Sequence, residues 1–396
     1  MLTNAQRLWL ERNTRRADFL WKWGLGILAV GFVVGIAVDA SFTGWMEPPE
    51  RQNLFAPDSE EPEEPQTPPD DPHYQDRVKH WEKIEQHAGR GEWGSVFLAI
   101  PKSMLQGWGN VGTTGLAILT GLCWMMFLLQ TVQPADDRTF RLLSCIVGLL
   151  LGVVSIWFTL FLILYQEIGW GLAESDEFIP GLRFFVLGVG FREEVSKFIC
   201  FLPLLPWIVR RRDELAALIV AGCVGLGFAM EENVGYIYRS AGSGTLGRLL
   251  TPAPIHIALT GLIGLAAYRA CRWPKEWGPQ FVVVFLGAIL MHGAYDALIV
   301  LPDLKDYSIG AFILFFLLQW HFFRELRELR IVRRETISLS ANFITCVALV
   351  AAATFVYMSA ATGWSGALDI MFMSVLGQAM MVYLFLREMP ESLVTV

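Results

Sequence analysis

Phe184-Phe185-Val186-Leu187-Gly188-Val189-Gly190-Phe191-Arg192-Glu193-Glu194-Val195-Ser196-Lys197-Phe198-Ile199-Cys200-Phe201-Leu202 decides how this chain is read. The apolar run around it spans 182–209, long enough to cross a bilayer, which takes about 20 residues at ~1.5 Å each. Yet Glu193, Glu194 and Lys197 sit near its middle. Each such charge costs roughly 2.5–3.5 kcal/mol at the centre of a membrane helix. An ionisable cluster kept at that cost is a functional site by default.

The rest of the composition agrees with a membrane chain. Of 396 residues 54% are hydrophobic and only 17% charged, with mean hydropathy +0.44. That balance excludes an ordinary soluble domain. Fifteen Trp and 27 Phe suit helices anchored at bilayer interfaces. The net charge of −7 does not point to nucleic acid and comes largely from one acidic loop. The six Cys are scattered singly, without C-x-x-C spacing, so they read as small buried apolar side chains rather than a disulfide or thiolate framework.

In chain order, residues 1–45 hold a basic N-terminus and a first apolar span at 23–38, read as a retained anchor. Residues 46–92 form an acidic, proline-rich loop, disordered over 46–75, with a short helix at 75–88. His73, His80 and His87 lie there, and wide polar spacing makes them solvated side chains. Residues 93–181 carry spans at 114–132 and 140–165; 182–301 is the core, with spans at 182–209, 215–238, 254–268 and 281–301. Residues 302–396 add spans at 309–323, 343–357 and 368–385. The expected fold is an all-α polytopic bundle of about ten membrane helices. Arg210-Arg211-Arg212, Arg269, Arg272, Lys275 and the arginines between 324 and 334 fall on one side, and only Arg239, Arg248 and Lys305 in the short opposite loops. The positive-inside rule then puts both termini inside and the acidic loop outside.

Strongly polar groups inside these spans concentrate in four consecutive helices: Glu193, Glu194 and Lys197; then Glu231, Glu232 and Asn233; then His256; then His292 and Asp296. Spacings of four put His256 with Thr260, and His292 with Asp296, on common faces. Lys197 lies four residues after Glu193 and three after Glu194, so it neutralises one of them and leaves the other for base chemistry. His256, Glu232, His292 and Asp296 fall toward the outer half of the membrane and the Glu193–Glu194 pair about 18 Å in, so all converge on one outward-opening cavity. Glu231 reads as interfacial or paired, and His321 beside Arg324 as snorkelling.

Glu-Glu-x-x-Lys (Glu193, Glu194, Lys197), Phe-x-x-x-Glu-Asn (Phe228, Glu232, Asn233), His256 with Thr260, and His-x-x-x-Asp (His292, Asp296) together resemble the PrsW intramembrane protease family, related to the CAAX prenyl endopeptidases and bacteriocin-processing proteases. The resemblance covers about 182–301. It implies hydrolysis of a peptide bond in a membrane-anchored protein near the extracytoplasmic side, of the regulated kind that cuts an anti-sigma factor, in a bacterial cytoplasmic membrane. It also implies roles: Glu193 as the base, Glu194 and Lys197 as a supporting pair, Glu232 holding water or metal, and His256, His292 and Asp296 orienting water, binding metal or stabilising the oxyanion. CAAX endopeptidases instead carry an Arg one residue beyond the position of Lys197, a His in place of Glu232 and an Asn in place of Asp296. Glu193, Glu232, His256 and His292 suit Zn²⁺, and a metal-free glutamate mechanism fits the same residues. Two other classes compete: a non-catalytic scaffold of the same superfamily, and an ion-coupled transporter, whose repeats with paired broken helices are not visible.

Overall fold

A computed structural model describes residues 4–42, 72–131, 138–329 and 338–388. The acidic stretch up to residue 71, expected to be disordered, lies outside them, and the helix expected from 75 begins at Pro72.

All regular structure among the described residues is helical. A short α1 (Asn4–Asn13) precedes the long apolar α2 (Ala17–Phe42). Then α3 (Pro72–Gly89) and α4 (Trp93–Gly107) form a helical hairpin, turning at Gly91, whose φ of 72° suits a residue without Cβ. The first of these was expected; the second was not. Ile84, Ala88, Val96 and Ile100 close the hairpin over Leu164 of α6 (Arg138–Trp170), which follows α5 (Val111–Thr131). Trp157 Nε1 donates to the Phe97 carbonyl at 2.7 Å. His80 Nε2 lies 3.1 Å from the Ala99 carbonyl, so this histidine is half-buried and partnered rather than solvated.

The span at 182–209 is not one helix. It breaks into α7 (Phe178–Arg183), a π-helical turn (Phe184–Gly190), α8 (Phe191–Phe201) and α9 (Leu205–Arg211). Pro203 and Pro206 lack the N–H that a continuous helix needs and divide α8 from α9. Gln166 Nε2 donates at 3.1 Å to the Leu187 carbonyl inside the π turn. The chain continues through α10 (Glu214–Arg239), α11 (Thr245–Leu250), α12 (Pro252–Arg272), α13 (Pro274–Val300), α14 (Ile309–Leu329), α15 (Leu339–Thr362) and α16 (Trp364–Glu388). Nine helical spans among the described residues are long and apolar enough to cross a bilayer. The broken span accounts for the tenth of the sequence reading.

The centre of the bundle is α10. In its most apolar stretch 94% of residues are buried, against 17% in α2. Asp213 caps its start, accepting from Ala216 N at 2.9 Å while pairing with Arg141 at 2.5 Å. Around α10 pack α12, α6 and α5, and small residues set the spacing. A methyl group on Gly227 would lie 1.9 Å from the Leu149 carbonyl oxygen of α6, and one on Gly225 would lie 2.1 Å from the His256 carbonyl oxygen of α12. At Gly190 the π turn meets α13 in the same way: a Cβ would lie 2.4 Å from the Ile289 carbonyl oxygen, and one on Gly293 2.5 Å from that of Phe185.

These contacts are backbone to backbone, so a side chain inserted there must separate helices. Gly227→Val is expected to lower stability by roughly 3 kcal/mol, at the upper end of overpacking costs. Gly287→Val is the control, since nothing lies within 4 Å of a Cβ there. Unfolding in mild detergent measures both, and equal stabilities would refute the close-approach account.

Candidate active site

The π turn and the Gly190–Gly293 crossing bring α8 against α13. The first turn of α8 then presents Glu193 and Glu194, with Lys197 one turn on. Lys197 is fully buried, and its Nζ donates to Glu194 Oε1 at 2.6 Å. Glu193 Oε2 lies 3.7 Å from the same ammonium. Lys197 therefore serves chiefly Glu194, the pair that the family resemblance implied, where the spacing alone left either glutamate open.

Each end of this pair touches an imidazole. On α13, His292 Nδ1 lies 2.7 Å from Glu194 Oε1. On α12, His256 Nδ1 lies 3.0 Å from Lys197 Nζ. The rings of His256 and His292 stand 5.3 Å apart, edge to face. His292 Nε2 faces Glu193 Oε2 and Asp296 Oδ2, each at 3.6 Å. His256 Nε2 lies 3.2 Å from Glu232 Oε2 on α10. All seven residues singled out from the sequence thus meet in one connected cluster built from α8, α10, α12 and α13.

Two neighbours were not foreseen. Arg248, expected as a loop charge, pairs with Glu232 and donates from Nε to Asn233 Oδ1 at 2.6 Å. It reaches inward because α11 packs beside α12 instead of leaving the bundle. Trp108, just after α4, donates from Nε1 to Glu231 Oε2 at 2.5 Å, the partner that Glu231 was expected to need. The apolar Val96, Ile100 and Met104, four apart along residues 93–107, were the readable trace of α4. Nothing in the sequence marked Trp108 itself.

Glu193, Glu232, His256, His292 and Asp296 line one cavity of about 1280 Å³. Its walls include Trp81, Glu85, Ser103 and Met104, so the α3–α4 hairpin borders the same space. Glu194 and Lys197 stay behind this wall, fully buried. Glu193 is buried yet reaches the cavity, and its Oε2 has no hydrogen-bond partner.

One atom each from Glu193, His256 and His292 lie within 4.8 Å of one another, a donor set that Zn²⁺ accepts with a position left open. Two donors are prepared. Glu194 fixes His292 through Nδ1 and leaves Nε2 toward the centre, as a second carboxylate orients a metal-bound imidazole. Glu193 Oε2 has no hydrogen-bond partner among the described residues, and Lys197 Nζ and His292 Nε2 stand off at 3.7 and 3.6 Å. The third is engaged: an ammonium is a donor only, so Nδ1 of His256 accepts from Lys197 and its proton sits on Nε2, toward Glu232. Glu232 stands outside the trio, held by Arg248 and His256.

The model of the PrsW family intramembrane metalloproteases matches residues 138–320. This match takes in the whole polar cluster. The chain is similar to Protease PrsW of Geobacillus kaustophilus (strain HTA426), with 24% identity over 215 residues that cover 53% of this chain and 91% of that protein. No solved structure matches the chain. The family model describes intramembrane metalloproteases, and with the polytopic bundle the match supports a membrane protease. The PrsW match includes α6 and most of α14 as well as the polar cluster, so it reaches further than the motifs from which the resemblance was first read.

Because Glu232 is held in place by a cation, removing that cation strands a half-buried carboxylate. Arg248→Met is expected to cost about 3 kcal/mol. Glu232→Gln should recover part of that loss in the double variant. Chemical unfolding of the four proteins in micelles checks the coupling, and strictly additive losses would show the pair to be energetically idle.

Proposed function

We propose that the chain is an endopeptidase that hydrolyses a peptide bond of a membrane-anchored protein near the extracytoplasmic side, with Glu193 as the general base. The observation that carries this reading is the unpartnered Glu193 Oε2, opposite His292 Nε2 at 3.6 Å, on the wall of the large cavity. A carboxylate in that position takes a proton from a water molecule as the water attacks the scissile carbonyl carbon. The carbonyl oxygen gains charge, and the N–H on His256 Nε2 is the imidazole donor of the cavity wall that can turn to it. Glu193 then returns the proton to the leaving amine nitrogen as the C–N bond breaks. Glu194 and Lys197 hold the imidazoles at fixed orientation, and Asp296 faces the edge of His292.

The proton on His256 Nε2 favours this glutamate-driven route. A metal is the second reading, favoured by the Glu193–His256–His292 trio and by the family description. Those three residues would hold it, and a bound Zn²⁺ lowers the pKa of its water to about 7. The substrate class follows from the PrsW resemblance: a single-pass protein of a bacterial cytoplasmic membrane, of the anti-sigma-factor type, cut in regulated proteolysis.

The test compares new protein N-termini in membranes of cells expressing wild-type chain or Glu193→Gln at equal levels. Fragments near the extracytoplasmic ends of single-pass proteins should fall by about 10²-fold or more in the variant. Identical profiles, with both proteins folded, would leave a scaffold as the better reading. Loss of cleavage on chelation, restored by Zn²⁺ alone, would move the mechanism to the metal.

A further inference from the structure

Arg192 is the one buried charged residue of the 182–209 span that the proposed chemistry does not use. Only 7% of it is exposed, yet Nε and Nη1 have no hydrogen-bond partner, and no carboxylate oxygen pairs with it within 4.0 Å. Other buried cations in the cluster are matched, Lys197 by Glu194 and Arg248 by Glu232. Of the acidic groups on the shared cavity wall, Glu231 is engaged with Trp108, Glu232 with Arg248, and Asp296 lies beside His292. Among the described residues, Glu82, Glu85, Glu174 and Glu193 border the same space without pairing with Arg192 within 4.0 Å. Glu193, Glu167, Asp296 and Glu174 act on Arg192 only from beyond pairing distance. A buried guanidinium with no counter-charge in contact is costly.

Its position suggests what offsets that cost. Adjacent residues on a helix point about 100° apart, so Arg192 and Glu193 occupy different sectors, yet both border the same cavity. Helical side chains lean toward the N-terminus. Here the guanidinium lies 5.3 Å from the ring centre of Phe184, about two turns back, so the cation stands to one side of Glu193 against an apolar backing. A planar guanidinium binds a carboxylate through two parallel N–H···O bonds, which a neutral carbonyl cannot match in charge. A doubly charged phosphate would meet Glu193 and Asp296 on the same wall, and a single carboxylate fits the charge better.

We propose that Arg192 is a specificity residue that receives the carboxylate of a substrate Asp or Glu side chain, a few residues from the bond facing Glu193. The proposal rests on the protease reading above, but the anion site has its own readout. Apolar nonapeptides carrying one Glu, moved through each position, are compared with their Gln counterparts for binding to full-length chain bearing Glu193→Gln, by fluorescence anisotropy in neutral-lipid nanodiscs. At one position Glu is expected to bind at least about tenfold tighter than Gln, which is about 1.4 kcal/mol. Adding Arg192→Met should remove that preference, and Arg192→Lys should keep part of it. Arg192→Gln, which retains the stem and a donor, makes the same comparison should the Met variant not fold. A Glu preference that survives loss of the arginine overturns the proposal, as does equal binding of Glu and Gln at every position. Cleavage by wild-type chain is followed in parallel: an Arg192-dependent preference without cleavage keeps the anion site and removes the protease, whereas cleavage without the preference does the reverse.

Discussion

The buried ion pair of Lys197 with Glu194 is what the polar centre of this protein depends on. Neither group reaches solvent, so separating them would leave a bare charge inside the bundle. Their 2.6 Å contact is extended at both ends, to His256 through the lysine and to His292 through the glutamate. A line of four side chains therefore joins α12, α8 and α13. Each member limits its neighbours: the ammonium fixes the proton on His256, and the carboxylate fixes the proton on His292. Glu193, left out of this line, keeps an oxygen free for chemistry.

Such a line forms only if the helices approach closely. Gly225 and Gly227 let α10 touch the backbones of α12 and α6, and Gly190 with Gly293 does the same for the π turn and α13. The π turn adds a second element, because a widened turn redirects the helix that follows it. The break at Pro203 and Pro206 leaves α8 a short rod bearing most of the charge. Small residues, a π turn and two prolines thus turn an apolar run into a positioned site. The energetic load of the charges is met by packing that a straight helix would not allow.

Around this centre the cavity is shared between the membrane core and the α3–α4 hairpin, which enters its wall through Trp81, Ser103 and Met104. Trp108 links the end of that hairpin to Glu231, next to Glu232 in the polar cluster. A substrate segment reaching Glu193 therefore passes side chains from outside the core as well as from within it. On the proposed reading, selection among substrates and hydrolysis fall to different elements: the hairpin and Arg192 on one hand, and the Glu193–His292 face on the other.

Periodicity and composition were enough for the bundle, because a bilayer demands apolar runs of about 20 residues and leaves little else to read. Charge inside those runs was enough for the seven polar residues of the cluster, because water-free surroundings make every such group conspicuous. Arg248 and Trp108 escaped because each sits beside a span, where charge and indole are ordinary. Arg192 escaped because a lone cation beside two acids looks paired in one dimension. Helical geometry sends it to another sector, and only packed helices reveal that no acid follows. Residue types and spacings thus determined that a polar site exists in this membrane protein and which groups compose it. Which proton each imidazole carries, which carboxylate stays free and which cation lacks a partner were decided by the tertiary structure, since all three depend on contacts between helices far apart in the chain.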